Sequence, residues 1–405
     1  MTWTINGNQM GTERKVTRGR MKLRLAAVMV LLISTVVVVS ACGSSSSSST
    51  TSNSSGNGES TTASEGSSSK PIVTPPPTSP PTELPISKPL NGPPPQQTVA
   101  WAACELPICQ EGLSAGWHEA GKALGWNVNQ INYKSLEPDK AVQQALDEKV
   151  DGIGITGVAP ALFETQAKQA IKEEVPIVSA SEITEPEPTV NGLYWQGQNT
   201  ASVEESATMS ADWAINDSGG KANVVAVTIE SFPILSAEVV GLEKAYKQCS
   251  ECSLGVLPVT IENLGEGSVP SKIAAYLQSH PEVNYVQFTF SDLATGVYEA
   301  LKPLGLTGKV QLIGGAGNPT NMQEIVEGKA SMWMAQPQQY VGWLGMDVLA
   351  RLATNTPLEP YEKEGKIPYW VVEKAGAEEL LEKSEGAWPG PEGFQQKFEE
   401  LWSGS

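Results

Sequence analysis

The sequence predicts an α/β protein in which two doubly wound, Rossmann-like parallel-sheet lobes follow an export signal and a tether. From about residue 98 onward, short apolar segments rich in β-branched residues alternate with segments whose apolar residues recur at helical spacing. This alternation occurs twice in succession, and strands that alternate with helices form parallel sheets covered by helices on both faces. The 405 residues, 40% of them hydrophobic, are enough for two such domains.

The first run of elements starts at about residue 98 and ends near residue 215. Its helices carry ordinary boundary signals, since Pro138 fits the first turn of one helix and Pro176 follows the end of another. The predicted strands are Thr98–Ala103, Ile153–Ile155 and Pro176–Ser179, the predicted helices are Gly112–Leu124, Pro138–Val150, Phe163–Glu174 and Val203–Ile215, and Gly192–Thr200 is predicted as a connection.

The second run repeats this order. In doubly wound sheets ligands bind beyond the carboxyl ends of the strands, so two lobes with facing strand ends form a cleft. The predicted strands are Val224–Ile229, Val256–Thr260, Tyr285–Phe290 and Val310–Ile313, and the predicted helices are Ile234–Lys247, Ser271–Ser279, Thr295–Leu304 and Met322–Glu327.

Residues 1–41 are predicted to be a lipoprotein signal peptide. Four basic residues within 18–24 precede the apolar run Leu25–Val39, which is short for a membrane span. The run ends in Val39-Ser40-Ala41-Cys42, which resembles the bacterial lipobox and predicts acylation of Cys42. An uncleaved anchor helix is the alternative, and either Met1 or Met21 could be the start.

Residues 42–97 are predicted to be a disordered tether. Residues 43–69 are almost entirely Ser, Thr, Gly, Asn and Glu, and residues 70–96 are rich in Pro. Such compositions bury too little apolar surface to offset the entropy lost on ordering. The tether would hold a globular body at the membrane on the extracytoplasmic side.

Charge and cysteine usage fit export. Without residues 1–41 the chain keeps 21 basic and 44 acidic residues, a formal charge of −23, which disfavours nucleic-acid binding. Besides Cys42 there are two close pairs, Cys104 with Cys109 and Cys249 with Cys252. Two short disulfides are the expected state, and a zinc site built from all four is the alternative.

Several segments in order resemble the periplasmic sugar-binding proteins of the ribose and galactose type, and the sensor domain of lactose-repressor-like regulators. They include Lys149-Val-Asp-Gly-Ile-Gly-Ile155, Val175-Pro-Ile-Val178 and Val310-Gln-Leu-Ile-Gly-Gly-Ala-Gly317. The likeness covers roughly residues 98–375. The chain lacks a DNA-binding helix-turn-helix, and the lipobox places it outside the cytoplasm, so the regulator branch is disfavoured.

The resemblance implies a type I periplasmic binding protein fold with a three-crossing hinge. The crossings would lie near Gln198–Ala201, Gln336–Pro337 and Ile367–Trp370. Residues 98–199 and 337–366 would then form the N-terminal lobe, and residues 200–336 and 367–405 the C-terminal lobe. The implied function is capture of a small polar solute, a sugar or sugar-like compound, by hinge closure and delivery to an ABC permease. A monomer without cofactor or metal is expected.

The resemblance also places the ligand-binding residues at the strand ends of both lobes. Ribose-type proteins carry an Asp-Arg pair where this chain has Ser181-Glu182, and an Arg near Glu238. Carboxylates thus replace guanidinium groups. Because carboxylates pair with cations, an amine-bearing solute is expected as the alternative to a sugar. The expected binding residues are Cys104, Glu105, Gln110, Glu111, Ser181, Glu182, Phe232, Glu238, Phe290, Ser291, Asn318 and Gln336.

Two motifs suggest other functions. Gly112-Leu-Ser114-Ala-Gly116 matches the nucleophile elbow of serine hydrolases, so a secreted hydrolase using Ser114 is one alternative, and a sensory receptor for a small molecule is another. Ser114 lies about ten residues beyond the preceding strand, whereas a nucleophile elbow is a tight turn directly after one. His118 is one turn from Ser114 on the same predicted helix, and this arrangement does not form a catalytic triad. The G-x-G-x-x-G match at Gly152–Gly157 lies inside a strand rather than after one, which a dinucleotide site requires.

Overall fold

The computed structural model describes residues 72–134, 136–181, 184 and 187–404, except the side chains of Trp195 and Gln196. The predicted signal peptide, the acylation site Cys42, the first part of the tether and Glu182 lie outside these residues. Within the described ranges, no helix is long and apolar enough to cross a membrane.

The first lobe is a five-stranded parallel sheet in the order β2-β1-β3-β4-β5. Its inner strands are buried on both faces, which explains their continuous apolar sequences. Labels follow chain order: β1 is Thr98–Cys104, β2 Asn127–Tyr133, β3 Gly152–Ile155, β4 Ile177–Ser181 and β5 Leu193–Gln198, with α1 Pro107–Gln110, α2 Gly112–Leu124, α3 Pro138–Asp147 and α4 Glu164–Lys172.

The second lobe is a six-stranded sheet in the order β11-β10-β9-β8-β6-β7, parallel except for its edge strand β11. Its strands are β6 Asn223–Thr228, β7 Ser253–Pro258, β8 Tyr285–Phe288, β9 Gln311–Gly314, β10 Met332–Ala335 and β11 Trp370–Val372, and its helices are α5 Thr200–Asp217, α6 Pro233–Tyr246, α7 Ile261–Gly265, α8 Val269–Ser279, α9 Val297–Leu301, α10 Pro319–Val326 and α13 Lys374–Ser384. The predicted α/β class with two doubly wound lobes is confirmed.

Between β5 and β11 the chain passes from one lobe to the other at three places. These lie between β5 and α5, between β10 and helix α11 (Gln338–Ala353), and between helix α12 (Pro360–Glu364) and β11. Helix α11 packs on α2 and on strands β4 and β5, as expected for a part of the first lobe.

A fourth passage departs from the predicted division of the lobes. The last helix, α14 (Phe394–Trp402), packs on α11 and α2 of the first lobe, although residues 367–405 were assigned to the second. The cause is aromatic burial: the ring centroids of Trp343 and Trp402 lie 5.1 Å apart in a stack, and Phe398 is fully buried beside them.

The prediction of a disordered tether is wrong for residues 72–97, here named the strap, because this segment packs on both lobes. On the second lobe, the Ile72 amide donates to Asn216 Oδ1 (2.9 Å), and Trp370 Nε1 donates to the Thr78 carbonyl (2.8 Å). On the first lobe, Ile86 and Leu90 are 2% and 4% exposed. Apolar residues between the prolines are therefore buried in the structure, although the composition of the segment indicates a disordered chain.

The strap meets the first lobe at a buried charge cluster. Glu359 Oε1 accepts hydrogen bonds from the amides of Ser87 (2.8 Å) and Lys88 (2.7 Å). Arg351 Nη2 donates to the Lys88 carbonyl at 2.9 Å, and Arg351 Nε pairs with Asp347 Oδ2 at 2.9 Å. An extended proline-rich backbone cannot satisfy its own polar groups, so side chains of α11 and of the loop that follows it do so.

Candidate functional site

A cavity of about 120 Å³ lies between the lobes at the carboxyl ends of their strands. Most of its wall is apolar, with side chains from both sheets' strand ends, from α1, α6 and α11, and from the third hinge crossing. The apolar lining residues are Leu106, Ile108, Leu113, Val158, Ala180, Val203, Phe232, Ile234, Leu235, Phe290, Ala316, Val341 and Ile367.

The polar side chains of the cavity largely bond to one another. Ser181 Oγ donates to Gln198 Oε1 (2.8 Å), and Gln338 Nε2 donates to Gln336 Oε1 (2.9 Å). Gln198 Nε2 donates in turn to the Tyr369 hydroxyl at 2.9 Å, which links the first hinge crossing to the third. The polar lining residues are Thr156, Ser181, Gln198, Glu238, Thr289, Gln336 and Gln338.

Glu238 differs from these groups. It projects from α6 and is 9% exposed, and no described residue donates a hydrogen bond to its carboxyl. Burial raises the pKa of the Glu238 carboxyl well above its usual value, because the charged form is poorly solvated there. Its Oε1 lies so near Gly315 that a Cβ on that glycine would stand 2.9 Å away.

A short disulfide-closed segment forms one lip of the cavity. The Cys104–Cys109 disulfide joins the end of β1 to α1, with Cα atoms 5.5 Å apart. It therefore holds Leu106 and Ile108, which line the cavity, within a closed loop. Helix α1 contacts the turn Ser291–Ala294 of the other lobe, so the lips of the two lobes meet.

Two acidic residues face this contact. Burial raises the pKa of the Asp292 carboxyl, and the charge of Glu111 on the opposite lip adds to the rise. The Oδ2 atom of Asp292 is buried and has no hydrogen-bond partner among the described residues.

The predicted binding residues fall into three groups. Six line the cavity: Cys104, Ser181, Phe232, Glu238, Phe290 and Gln336. Four others, Glu105, Glu111, Ser291 and Asn318, line grooves next to it, where the Asn318 side chain also caps α10.

Gln110 points elsewhere, and Glu182 lies outside the described residues. The Gln110 side chain donates to the Asn132 side chain (3.2 Å) and accepts from Gln130 (3.0 Å) on the outer side of β1 and β2.

Thr156, Thr289 and the Leu106–Ile108 lip line the cavity but were not among the predicted binding residues. Thr156 directly follows β3, and Thr289 directly follows β8. The rule that ligands bind at strand carboxyl ends would have found both. Leu106 and Ile108 had no such signal, because only the disulfide and the short α1 turn them inward.

Ser114, the candidate nucleophile, has a structural role. It lies inside α2 and is 4% exposed. Its hydroxyl accepts a hydrogen bond from Trp101 Nε1 (2.8 Å) and donates to the Cys109 carbonyl (3.1 Å). His118 contacts Gln130 instead. The glycines of the G-x-G-x-x-G match serve packing, since a Cβ on Gly154 would stand 2.1 Å from the Trp117 ring.

The four remaining cysteines form two disulfides, Cys104–Cys109 and Cys249–Cys252. Each of the four sulfurs is therefore bonded within its own disulfide and is not available as a thiolate ligand for zinc. No group of His, Cys, Asp and Glu within the described ranges could hold a metal ion.

Comparison with solved structures identifies proteins of the same fold. A carbohydrate transporter from Acidothermus cellulolyticus 11B, solved in complex with myo-inositol, aligns with a TM-score of 0.61 at 20% identity over 72% of this chain and 99% of that one. The sugar ABC transporter from Yersinia enterocolitica subsp. enterocolitica 8081 gives 0.63 at 18% identity, over 76% and 95%. At such identities the likeness concerns the fold.

A further solved structure agrees with these. GanP, a glucose-galactose binding protein from Geobacillus stearothermophilus, aligns with a TM-score of 0.60 at 19% identity over 69% of this chain and 98% of that one. A search of curated proteins found no match.

The family model described as a periplasmic binding protein domain matches residues 109–357, more than half of the chain. This match covers most of both lobes and the first two hinge crossings, and the predicted resemblance to periplasmic binding proteins is confirmed. It favours a binding protein over an enzyme, in agreement with the structural role of Ser114. The chain belongs to the periplasmic binding protein family.

Proposed function

We propose that the protein is the extracytoplasmic solute-binding lipoprotein of an ABC importer. It captures a small solute in the cleft between its lobes by hinge closure and delivers it to the membrane permease. The family default for that solute is a sugar or sugar-like compound, with an amine-bearing analogue as the alternative. The observation that carries the proposal is the cavity at facing strand ends between two lobes joined by several crossings.

The hinge supports capture by closure. Gln198 at the first crossing and Tyr369 at the third are hydrogen-bonded, so these two segments would move together. A solute that contacts both lobes binds the closed state better than the open one, and this difference in affinity shifts the population toward closure. The permease would then recognise the closed state.

The solved structures of the same fold support the solute class. The protein from Acidothermus cellulolyticus 11B holds myo-inositol, and GanP is described as a glucose-galactose binding protein. Both descriptions name small polyhydroxy compounds. The cavity volume of about 120 Å³ is similar to that needed for one six-membered ring.

The N-terminal sequence supports a lipid-anchored, extracytoplasmic location. The apolar run, the small residues before Cys42 and the Ser-rich stretch that follows form a complete lipoprotein signal. A single acyl chain holds a protein weakly, so the diacylglyceryl group expected on Cys42 suits stable anchoring.

A thermal-shift screen of the mature chain tests the proposal. The panel contains myo-inositol, glucose, galactose, ribose, glucosamine and cyclic amines, and each hit is followed by small-angle X-ray scattering. We expect one class to raise the melting temperature and to reduce the radius of gyration while the compound is recovered unchanged. If no compound raises the melting temperature, or if a hit is chemically converted, the proposal is wrong.

A further inference from the structure

The polar side chains of the cavity are outnumbered by apolar ones, and several of them already bond to one another. Ser181, Gln198, Gln336 and Gln338 are engaged in side-chain hydrogen bonds, and the Thr289 hydroxyl donates to the Val227 carbonyl at 3.3 Å. Thr156 is bonded to the Tyr133 hydroxyl. A polyol brings a hydroxyl on nearly every carbon, and each hydroxyl that is buried without a partner costs free energy. A wall with thirteen apolar and seven polar side chains therefore suits a solute with fewer hydroxyls than a free sugar.

The charge of the cavity is carried by one group. Among the described lining residues, Glu238 is the single ionisable side chain, because both cysteines there are in a disulfide and no Lys, Arg or His is present. A carboxylated solute would find no cation to pair with. A solute with one positive charge would find one carboxyl, whose described electrostatic neighbour is the buried, uncharged Tyr369.

The carboxyl of Glu238 lies close to the backbone of the second lobe. Its Oε1 rests against Gly315 at the end of β9, where a side chain would collide with it and with the Thr289 carbonyl. Phe232 at the start of α6 and Phe290 after β8 line the cavity from the same lobe. A cation that reaches Glu238 would therefore lie in a largely apolar, aromatic surrounding, where an ion pair is stronger than in water.

The apolar wall and the volume define the rest of the solute. Leu106 and Ile108 line the cavity from the opposite lip, facing the lobe that carries the two phenylalanines. An engineered apolar cavity of about 150 Å³ accommodates benzene, so the 120 Å³ here suits a compact body of one ring.

Building on the proposed function, we propose that the cleft selects a compact, mainly apolar amine whose single ammonium group pairs with Glu238. A hydroxyl can donate one hydrogen bond to this carboxyl, whereas an ammonium group can donate a hydrogen bond and also neutralise its charge. The acidic surface of the chain raises the local concentration of such cations.

Binding of this kind has a proton signature. Burial raises the pKa of Glu238 in the empty cavity, so the carboxyl is protonated over a wider pH range than an exposed glutamate. An ammonium ion stabilises the carboxylate, and the complex therefore forms with release of a proton from Glu238. Affinity then rises with pH up to the raised pKa of the free protein.

Isothermal titration calorimetry with matched probes tests the inference. Cyclohexylamine, cyclohexanol and myo-inositol share a six-membered ring and differ in charge and hydroxyl number. We expect cyclohexylamine to bind at least tenfold more tightly than the other two, with proton release measured from titrations in buffers of different ionisation enthalpy. Glu238→Gln should remove at least tenfold of the amine affinity and abolish the proton release.

Glu243→Gln is the matched control, because Glu243 is exposed on the same helix and pairs with Lys247. It should leave amine binding unchanged. If myo-inositol or another sugar binds and cyclohexylamine does not, the inference is wrong while the proposed function stands. If amine binding survives in Glu238→Gln, the inference is also wrong. If no solute binds at all, the proposed function itself fails.

Discussion

Gly315 and Glu238 meet so closely that a Cβ on the glycine would stand 2.9 Å from the carboxyl oxygen Oε1, and 3.0 Å from the Thr289 carbonyl. The absence of a side chain at the end of β9 is thus what lets a buried carboxyl from α6 reach the cavity wall.

We expect Gly315→Ala to destabilise the protein by about 1–3 kcal/mol, because overpacking at a buried position forces shifts in backbone and side chains. It should also weaken solute binding by displacing Glu238. Urea denaturation and calorimetry measure the two effects. Gly265→Ala is the control, since nothing lies within 4 Å of a Cβ there; an equal effect of both variants would contradict the role assigned to Gly315.

The buried cluster around Arg351 should hold the strap to the first lobe. Arg351 has no exposed side-chain surface and pairs with Asp347, Glu359 and Glu362. Removing the cation leaves the buried carboxylates of Asp347 and Glu359 uncompensated, so Arg351→Met should cost about 3–5 kcal/mol of unfolding free energy. Hydrogen exchange should show faster exchange at the Ser87 and Lys88 amides. Lys140→Met, which breaks an exposed pair with Glu137, is the control, and a loss below about 1 kcal/mol for Arg351→Met would refute the cluster's role.

The same cluster predicts a pH dependence. Burial and the charge of Asp347 raise the pKa of Glu362 to about 10, so the folded protein holds a proton that the unfolded chain loses near pH 4.5. The unfolded state therefore binds fewer protons between these values, and stability falls as pH rises through this window. Glu362→Gln should flatten the decline in urea midpoint between pH 7 and pH 9. Glu364→Gln, at an exposed pair with Lys366, should follow the wild type; a parallel decline in Glu362→Gln would contradict the assignment.

The two disulfides should have different consequences. The Cys104–Cys109 disulfide holds the cavity lip, whereas Cys249–Cys252 lies between α6 and β7 and does not line the cavity. Closing so short a loop is worth about 2 kcal/mol in either case. We expect both double Cys→Ser variants to melt at lower temperature, and only the variant at 104 and 109 to lose solute affinity. Equal affinities in the two variants would show that the lip does not contribute to binding.

Alternation of strands and helices was enough to predict the fold, because each parallel strand is a short apolar run bounded by turn residues. Strand β2 (Asn127–Tyr133) was not predicted, since its edge position leaves Asn and Gln side chains exposed and removes the apolar signal. Strand β5 (Leu193–Gln198), at the other edge of the same sheet, was taken as a connection. Strands β10 and β11 were not predicted either, although β10 has a neighbour on each side.

The strap and the C-terminal helix needed tertiary contacts. Proline content predicts an extended backbone, but whether that backbone docks depends on distant partners such as Glu359 and Arg351. Which lobe α14 packs on likewise depends on the stacking of Trp402 with Trp343. The sequence gives no sign that these two distant residues are in contact. Half of the binding residues predicted from strand ends line the cavity. The inward orientation of the Leu106–Ile108 lip depends on the disulfide and could not be predicted from the positions of these residues in the sequence.

The most direct test of solute capture is calorimetry on a variant whose cavity is filled. Leu235 lines the cavity from α6, and Val240 is exposed on the same helix, so Leu235→Trp and Val240→Trp form a matched pair. With the best solute of the screen, we predict one binding site in the wild type and in Val240→Trp, and none in Leu235→Trp, at similar melting temperatures. Undiminished binding to Leu235→Trp would contradict the assignment of this cleft as the solute site.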